Sequence, residues 1–425
     1  MKRLCLATLA FLFFAVGVSS SQTVLTLEQC KTIALEHNTK MKNSALEVEV
    51  SQQVRKSALT KYFPSVSAAG AALRAQDNLV GLSIAPEFSF GMLERMDFGA
   101  INIVQPVFTG GRIIAGNKLA AIGQEASEDQ QTLAKNEVML KTEQQYWQIV
   151  SLQEKLKTIQ KYDEMLDSLS KQVDDAYQSG VVMVNDLLKV KVKRSEVKLN
   201  KSKLENGQQL AVMAFCQYIG IPFDSTLTLN DSLTVDGNPQ SLFVDHSEAL
   251  NRRTEYRLLQ KSVEAEEWQT RLKLGEYLPQ VAVGASALYY KLDQMDGKYD
   301  RMAFATVQVP ISNWWEGSHT MQERSAREEI ARNNFHENSD LLLLQMKKAW
   351  QDLTDSYKQV ALSEESKMQA DENLKVNNDS YRNGLTNISD LLEAQAMHLQ
   401  ANNDLIDAEA NYKIQQTTYL QVIGR

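Results

Sequence analysis

The chain has 425 residues, a formal charge of −8 at pH 7, seven prolines, nineteen glycines, three cysteines and five histidines. A negative chain argues against nucleic acid as a partner, and three cysteines are too few for a disulfide-built secreted scaffold. So few prolines and glycines favour long helices with few breaks.

Residues 1–21 read as a secretory signal: basic Lys2 and Arg3, an apolar run from Leu4 to Val18, then small Ser19, Ser20 and Ser21. The run is too short for a membrane anchor. Removing Lys2 and Arg3 takes the charge from −8 to −10. Cys5 lies inside the apolar run and Cys30 is too far along to become a lipidated N-terminus, so no acyl anchor is expected. Cys30 and Cys216 sit in helical patterns and are expected to be buried free thiols. No later run of eighteen apolar residues occurs, so any membrane crossing must use strands.

Residues 27–60 carry a helical pattern with almost no breakers. Pro64–Leu73 and Phe98–Phe108 read as strands of a hairpin over 64–108. Residues 112–178 contain no proline and, after Gly123, no glycine. About 67 residues at ~1.5 Å each make a rod of about 100 Å. Ile159, Tyr162, Leu166, Leu169, Val173 and Ala176 alternate steps of three and four, a coiled-coil seam that reads as core packing. A shorter helix follows over 185–219. In 221–245, Leu227, Leu229, Leu233 and Val235 suggest two short strands.

A second hairpin is expected over 279–311. Val281, Val283, Ala285, Ala287 and Tyr289 share one strand face, and Ala303, Ala305, Val307, Val309 and Ile311 share another. About ten residues with one apolar face suit a tilted membrane strand. A second long helix, near 318–382, carries Met346, Trp350, Leu353, Tyr357 and Val360 at seam spacing.

The chain repeats itself. At a shift of 215, Thr39, Tyr62, Pro64 and Val66 meet Thr254, Tyr277, Pro279 and Val281. At a shift of 204, Pro106, Tyr177, Gly180 and Asp186-Leu187-Leu188 meet Pro310, Tyr381, Gly384 and Asp390-Leu391-Leu392. The expected organisation is a first repeat over 22–220, an equatorial segment over 221–245 and a second repeat over 246–425. The fold class is mainly α with a membrane β-barrel. Four strands cannot close a barrel, because open edges in lipid leave backbone groups unpaired at several kcal/mol each. Several copies must contribute, and three supply twelve strands.

These features resemble the TolC-like outer-membrane efflux proteins over essentially the whole mature chain. The resemblance rests on the tandem halves, Tyr62-Phe63-Pro64 and Tyr277-Leu278-Pro279, and Gln105-Pro106 through Gly110-Gly111-Arg112. Above all it rests on the paired turns, Tyr177-x-x-Gly180 before Asp186 and Tyr381-x-x-Gly384 before Asp390 and Glu393. It implies a homotrimer with a twelve-stranded barrel in outer-membrane lipid on a long α-helical tunnel. It also implies a periplasmic adaptor (membrane fusion protein) as direct partner and an inner-membrane RND or ABC pump as an indirect one. No enzyme activity, cofactor or metal is expected, and the five histidines show no ligand spacing. The chain stops at Arg425, just after the second Ile-Gly, so the mid-tunnel belt is expected to rest mainly on 221–245. The loop after Gly384 reads Leu385-Thr386-Asn387. It lacks the arginine used by the founding member's closed latch, and Arg382 lies just before the glycine.

Site residues follow from the same resemblance. Tyr177, Gly180, Tyr381 and Gly384 would form the periplasmic tips where an adaptor docks; as local chemistry the glycines are helix C-caps. Asp390 and Glu393, three apart, would form an acidic ring at the aperture; alone they are an ordinary acidic first turn. Asp186 and Tyr381 would be a hydrogen-bonded latch. Phe63, Tyr277, Trp314 and Trp315, with Phe108, would be membrane-interface aromatics or core packing beneath the barrel. The alternative function is a periplasmic coiled-coil adaptor or structural spacer, which leaves the two matched strand hairpins unexplained.

Overall fold

The computed structural model describes residues 24–76, 80–85, 88–92, 95–224, 227–235, 237–292 and 296–425; the expected signal segment lies outside them. The helices are α1 (Leu27–His37), α2 (Thr39–Thr60), α3 (Arg112–Gln178), α4 (Val184–Ile219), α5 (His246–Leu250), α6 (Thr254–Leu274), α7 (Trp314–Arg382) and α8 (Ile388–Val422). The strands are β1 (Val24–Leu25), β2 (Ser65–Arg74), β3 (Val80–Ala85), β4 (Phe88–Met92), β5 (Arg95–Thr109), β6 (Thr228–Leu229), β7 (Gln280–Leu292) and β8 (Lys298–Gln308). Among the described residues no helix is long and apolar enough to cross a membrane.

The chain divides into two compact units. One comprises Leu35–Lys141, Asp236–Leu362 and Asn411–Arg425. Its sheet has the order β2-β5-β7-β8, antiparallel throughout. The expected apolar faces meet in register, Val281 against Val307, Val283 against Ala305 and Ala285 against Ala303. Each strand continues into a helix, and the helices keep the same order. Asn117 Nδ2 of α3 donates to the Ala58 carbonyl of α2 at 3.0 Å. Arg257 and Lys261 of α6 grip Asp129 of α3 at 2.5 and 2.7 Å. Arg324 of α7 bonds Glu266 of α6 at 2.5 Å. Burial would raise the Asp129 carboxyl, but the hydrogen bonds from Arg257 and Lys261 outweigh it and hold the group below its ordinary range. The two flanks are therefore α2 with β2 and α7 with β8.

Three boundaries differ from the sequence expectation, each for a local reason. The helix over 27–60 is broken at Asn38, which is extended (φ −61°, ψ 133°) and whose Oδ1 accepts the Lys40 amide at 2.8 Å, a side-chain N-cap. The second repeat breaks at the matching place, before Thr254. The last strand stops at Gln308 rather than running on through Ile311. Pro310 has no N–H to give a ladder, and Ile311–Asn313 is a 3-10 turn leading into α7 at Trp314. Within β5 the register slips between Pro106 and Phe108, a bulge where the proline cannot donate.

The other unit comprises Thr142–Val235 and Ser363–Ala410 with the chain up to Ala34. Its centre is the expected α3 seam, in which Ile159, Tyr162, Leu166, Leu169 and Val173 are buried against Leu187, Val190 and Val197 of α4. Among the described residues of 221–245, one of the two expected strands is present, β6, which pairs in parallel with β1. Side chains hold the rest of that segment. Asp231 accepts the Leu27 amide at 3.1 Å and the Tyr146 hydroxyl at 2.7 Å, while Leu227, Leu229 and Leu233 are buried. Cys30 and Cys216 are free and fully buried here. Burial first, with the charges of Asp231 and Cys216 adding, pushes the Cys30 thiol up to about 12, so it stays protonated and inert.

Candidate functional site

The two helical turns after α3 and α7 are built alike. Gly180 has φ 73° and Gly384 has φ 70°, a left-handed conformation that only glycine takes without strain. Each closes a Schellman cap. The Val181 amide donates to the Ala176 carbonyl at 2.9 Å, and the Leu385 amide donates to the Ser380 carbonyl at 2.8 Å. Gly180 and Gly384 also donate to the carbonyls of Tyr177 and Tyr381, at 2.9 and 3.0 Å. The turns carry exposed apolar side chains: Val181 (76%), Met183 (77%) and Leu385 (80%).

Sequence reasoning missed what distinguishes the second turn. Asn387 caps α8, its Oδ1 accepting the amides of Ser389 and Asp390 at 2.8 and 3.1 Å. Thr386 Oγ1 donates to Asp390 Oδ2 at 2.5 Å. Met183, at the equivalent place before α4, makes no side-chain cap. The signal was in the sequence, since Asn is a preferred N-cap. Asp390 and Glu393 both lie exposed on the first turns of α8, while Ile388, Leu391 and Ala394 are buried. The two carboxylates therefore share the face turned away from the protomer's core.

Behind the turns, Leu187, Val190, Ile388 and Leu391 join the α3 seam in one apolar cluster, with Tyr381 packed against it. Burial first, and the charge of Asp186 second, raise the Tyr381 phenol above its ordinary value, so it remains a hydrogen-bond donor at neutral pH. Among the described residues no hydrogen bond joins Asp186 to Tyr381, and Asp186 instead lies 3.7 Å from Lys189. Charge proximity thus joins the expected latch pair without a direct bond.

The aromatics fall into two groups. Phe63, Phe108, Trp314 and Trp315 are exposed. Tyr277 is 8% exposed and packed inside the protomer. Its carbonyl accepts Trp314 Nε1 at 2.8 Å, and its ring covers Gly317, where a Cβ would come within 3.3 Å. Among the described residues no group of three or more His, Cys, Asp or Glu is placed to hold a metal ion.

A family model described as outer membrane efflux protein matches residues 32–220 and 246–425. Three solved structures illustrate the likeness in fold. The outer membrane protein VceC from Vibrio cholerae is 14% identical, with a TM-score of 0.77 over 94% of this chain and 96% of its own. The Campylobacter jejuni CmeC outer membrane channel is 14% identical, with a TM-score of 0.80 over 94% and 85%. The open state of the Neisseria gonorrhoeae MtrE outer membrane channel is 15% identical, with a TM-score of 0.76 over 94% and 88%. No curated protein matches the chain in sequence.

Proposed function

Since the chain belongs to the outer membrane efflux protein family, we propose that it forms, as a homotrimer, the outer-membrane exit duct of a tripartite efflux or type I secretion system. Cargo would pass from an inner-membrane pump, through a periplasmic adaptor, along an axial lumen to the exterior. Chain residues do no chemistry on the cargo, and the pump supplies the energy.

One observation carries the reading. The sheet β2-β5-β7-β8 ends in two edge strands, β2 and β8, that pair with nothing further among the described residues. Every residue of β2 is exposed, and nearly every one of β8. In water such edges invite aggregation; in lipid each unpaired group costs several kcal/mol. Both penalties vanish when β8 of one copy pairs with β2 of the next and the ring closes. The smallest bacterial barrels have about eight strands, and three copies supply twelve. The acidic face of α8 and the two apolar turns then supply an aperture and a docking surface, with domain limits as the repeats at 22–220 and 246–425 set them.

Membrane fractionation tests this directly. The protein should sediment with the outer membrane and resist salt and carbonate extraction, yielding only to detergent. Release as a soluble periplasmic protein would overturn the duct and favour a coiled-coil spacer.

A further inference from the structure

Where the strands give way to helices, a cavity of about 810 Å³ lies between the ends of α2 and α6 and the start of α3. Its size is ordinary for a small-molecule site. Phe63, Pro64, Pro106, Ile113 and Leu272 form the apolar part of its wall, and Lys61 and Arg112 stand among them. Neither cation forms an ion pair among the described residues. Arg112 Nε donates to the Thr109 carbonyl at 3.3 Å. Glu276, the carboxylate in the wall, accepts Lys273 Nζ at 2.7 Å.

The internal repeat sharpens the contrast. At the shift of 215, Lys61 meets Glu276. The first turn of α3 holds no acidic residue, whereas that of α7 holds Glu316. The first junction is therefore cationic and unpaired, and its counterpart is acidic, with Lys273 answering Glu276. Unpaired cations beside a helix N-terminus that lacks acidic residues favour an anion.

A third group lacks a partner. Asn117 lines the cavity, and its Nδ2 donates to the Ala58 and Ile113 carbonyls at 3.0 and 2.8 Å. Those bonds fix the amide. Its Oδ1 is buried and has no donor among the described residues. A buried acceptor left without a donor is costly, and a hydroxyl or N–H on a ligand would supply one.

Strand register shows which side the cavity occupies. Its strand residues share one face of the sheet: Ser65 pairs with Val104, Pro106 with Ala282 and Thr109 with Gln280. Side chains alternate along each strand, so this is also the face of Asn102 and Ser286, which are hydrogen-bonded at 2.6 Å. The opposite face carries exposed Ile101, Ile103, Val283 and Val307. A membrane barrel turns its apolar face to lipid and its polar face inwards.

We propose that this cavity is a lumen-facing binding site for small anionic aromatic compounds in transit through the duct. Lys61 and Arg112 hold the anionic group, Phe63 and Pro106 pack against the aromatic body, and Asn117 Oδ1 accepts a hydroxyl or N–H. The inference rests on the duct reading and deepens it by naming a class of cargo. Phe63 then faces the lumen rather than lipid.

Single-channel recording of the full chain in planar bilayers tests this, with hydroxynaphthoate as the probe. The probe should block the current reversibly, and uncharged naphthalenemethanol at the same concentration should not. Lys61→Gln with Arg112→Gln should raise the half-blocking concentration at least about tenfold, the scale of a lost charge-assisted contact. Lys61→Gln alone changes an exposed helix end and serves if the double variant does not insert; it should raise that concentration at least about threefold. Lys61→Arg should retain the block. An unmodified channel that conducts without block would sink the site and leave the duct standing. Equal block by the uncharged compound, or equal block in the variants, would do the same. Anionic phospholipid retained by the unmodified protein and lost from the variants would open the cavity to the bilayer and overturn its lumen assignment. An inserted, unmodified protein that never conducts would overturn the duct reading and the site with it.

Discussion

A chain carrying both Gly180→Trp and Gly384→Trp should insert into the outer membrane as a trimer and export nothing. A Cβ added at either glycine meets no atom within 4 Å, so the indoles have room in the isolated protomer. The left-handed backbone at both positions adds strain of roughly 1–2 kcal/mol each, confined to exposed turns outside the core. The damage falls on docking. An adaptor hairpin seated between the turns would meet a bulky ring beside exposed Val181, Met183 and Leu385. A clash at the centre of an interface costs at least about 2 kcal/mol, roughly a thirtyfold loss of affinity. Both sites are changed because two similar grooves per protomer can cover for one another. Resistance to exported toxic compounds should fall to that of a strain lacking the channel. Unchanged resistance, with the trimer intact, would move the adaptor site elsewhere.

The second large effect concerns the aperture. In a trimer, Asp390 and Glu393 place six carboxylates around one axis. Crowded like charges repel one another and draw in cations. A charge-lined constriction raises the local counter-ion concentration by roughly 10- to 1000-fold. The channel should prefer cations, and multivalent cations added from the periplasmic side should block it. Asp390→Asn with Glu393→Gln should weaken that block at least about tenfold and reduce the cation preference in planar-bilayer recordings. Tyr381→Phe should leave the selectivity unchanged, because it leaves the carboxylates alone. Opening requires the turns to move apart, and an adaptor that binds the open form better would shift the population towards it. A block unchanged in the acidic double variant would return both residues to the ordinary role of an acidic first turn.

The features legible in the sequence were those that leave a periodic or stereochemical trace. The α3 rod was visible because nothing between Arg112 and Gln178 breaks it after Gly123, and its seam because Ile159 to Val173 keep heptad steps. Gly180 and Gly384 stood out as C-caps, and both are left-handed. What escaped notice depends on single side chains acting locally or across long separations. The end of β8 was obscured because Val309 and Ile311 continue the apolar alternation across Pro310. The break at Asn38 lies inside an otherwise helical pattern and is set by one side-chain oxygen. The parallel pairing of β1 with β6 spans two residues per strand, and its anchor, Tyr146 to Asp231, joins residues 85 apart with no repeating signature. Tyr277 carries the same Tyr-x-Pro motif as Tyr62, yet Tyr277 is buried and Tyr62 exposed, a difference set by packing over Gly317.

The most direct test of the account is the mass of the detergent-solubilised protein. On the proposed reading, further copies close the edges of β2 and β8, the two outer strands of the sheet. Native mass spectrometry in mild detergent should therefore find three chains of the mature protein in one particle, stable to moderate dilution. A stable monomer or a closed dimer would contradict it.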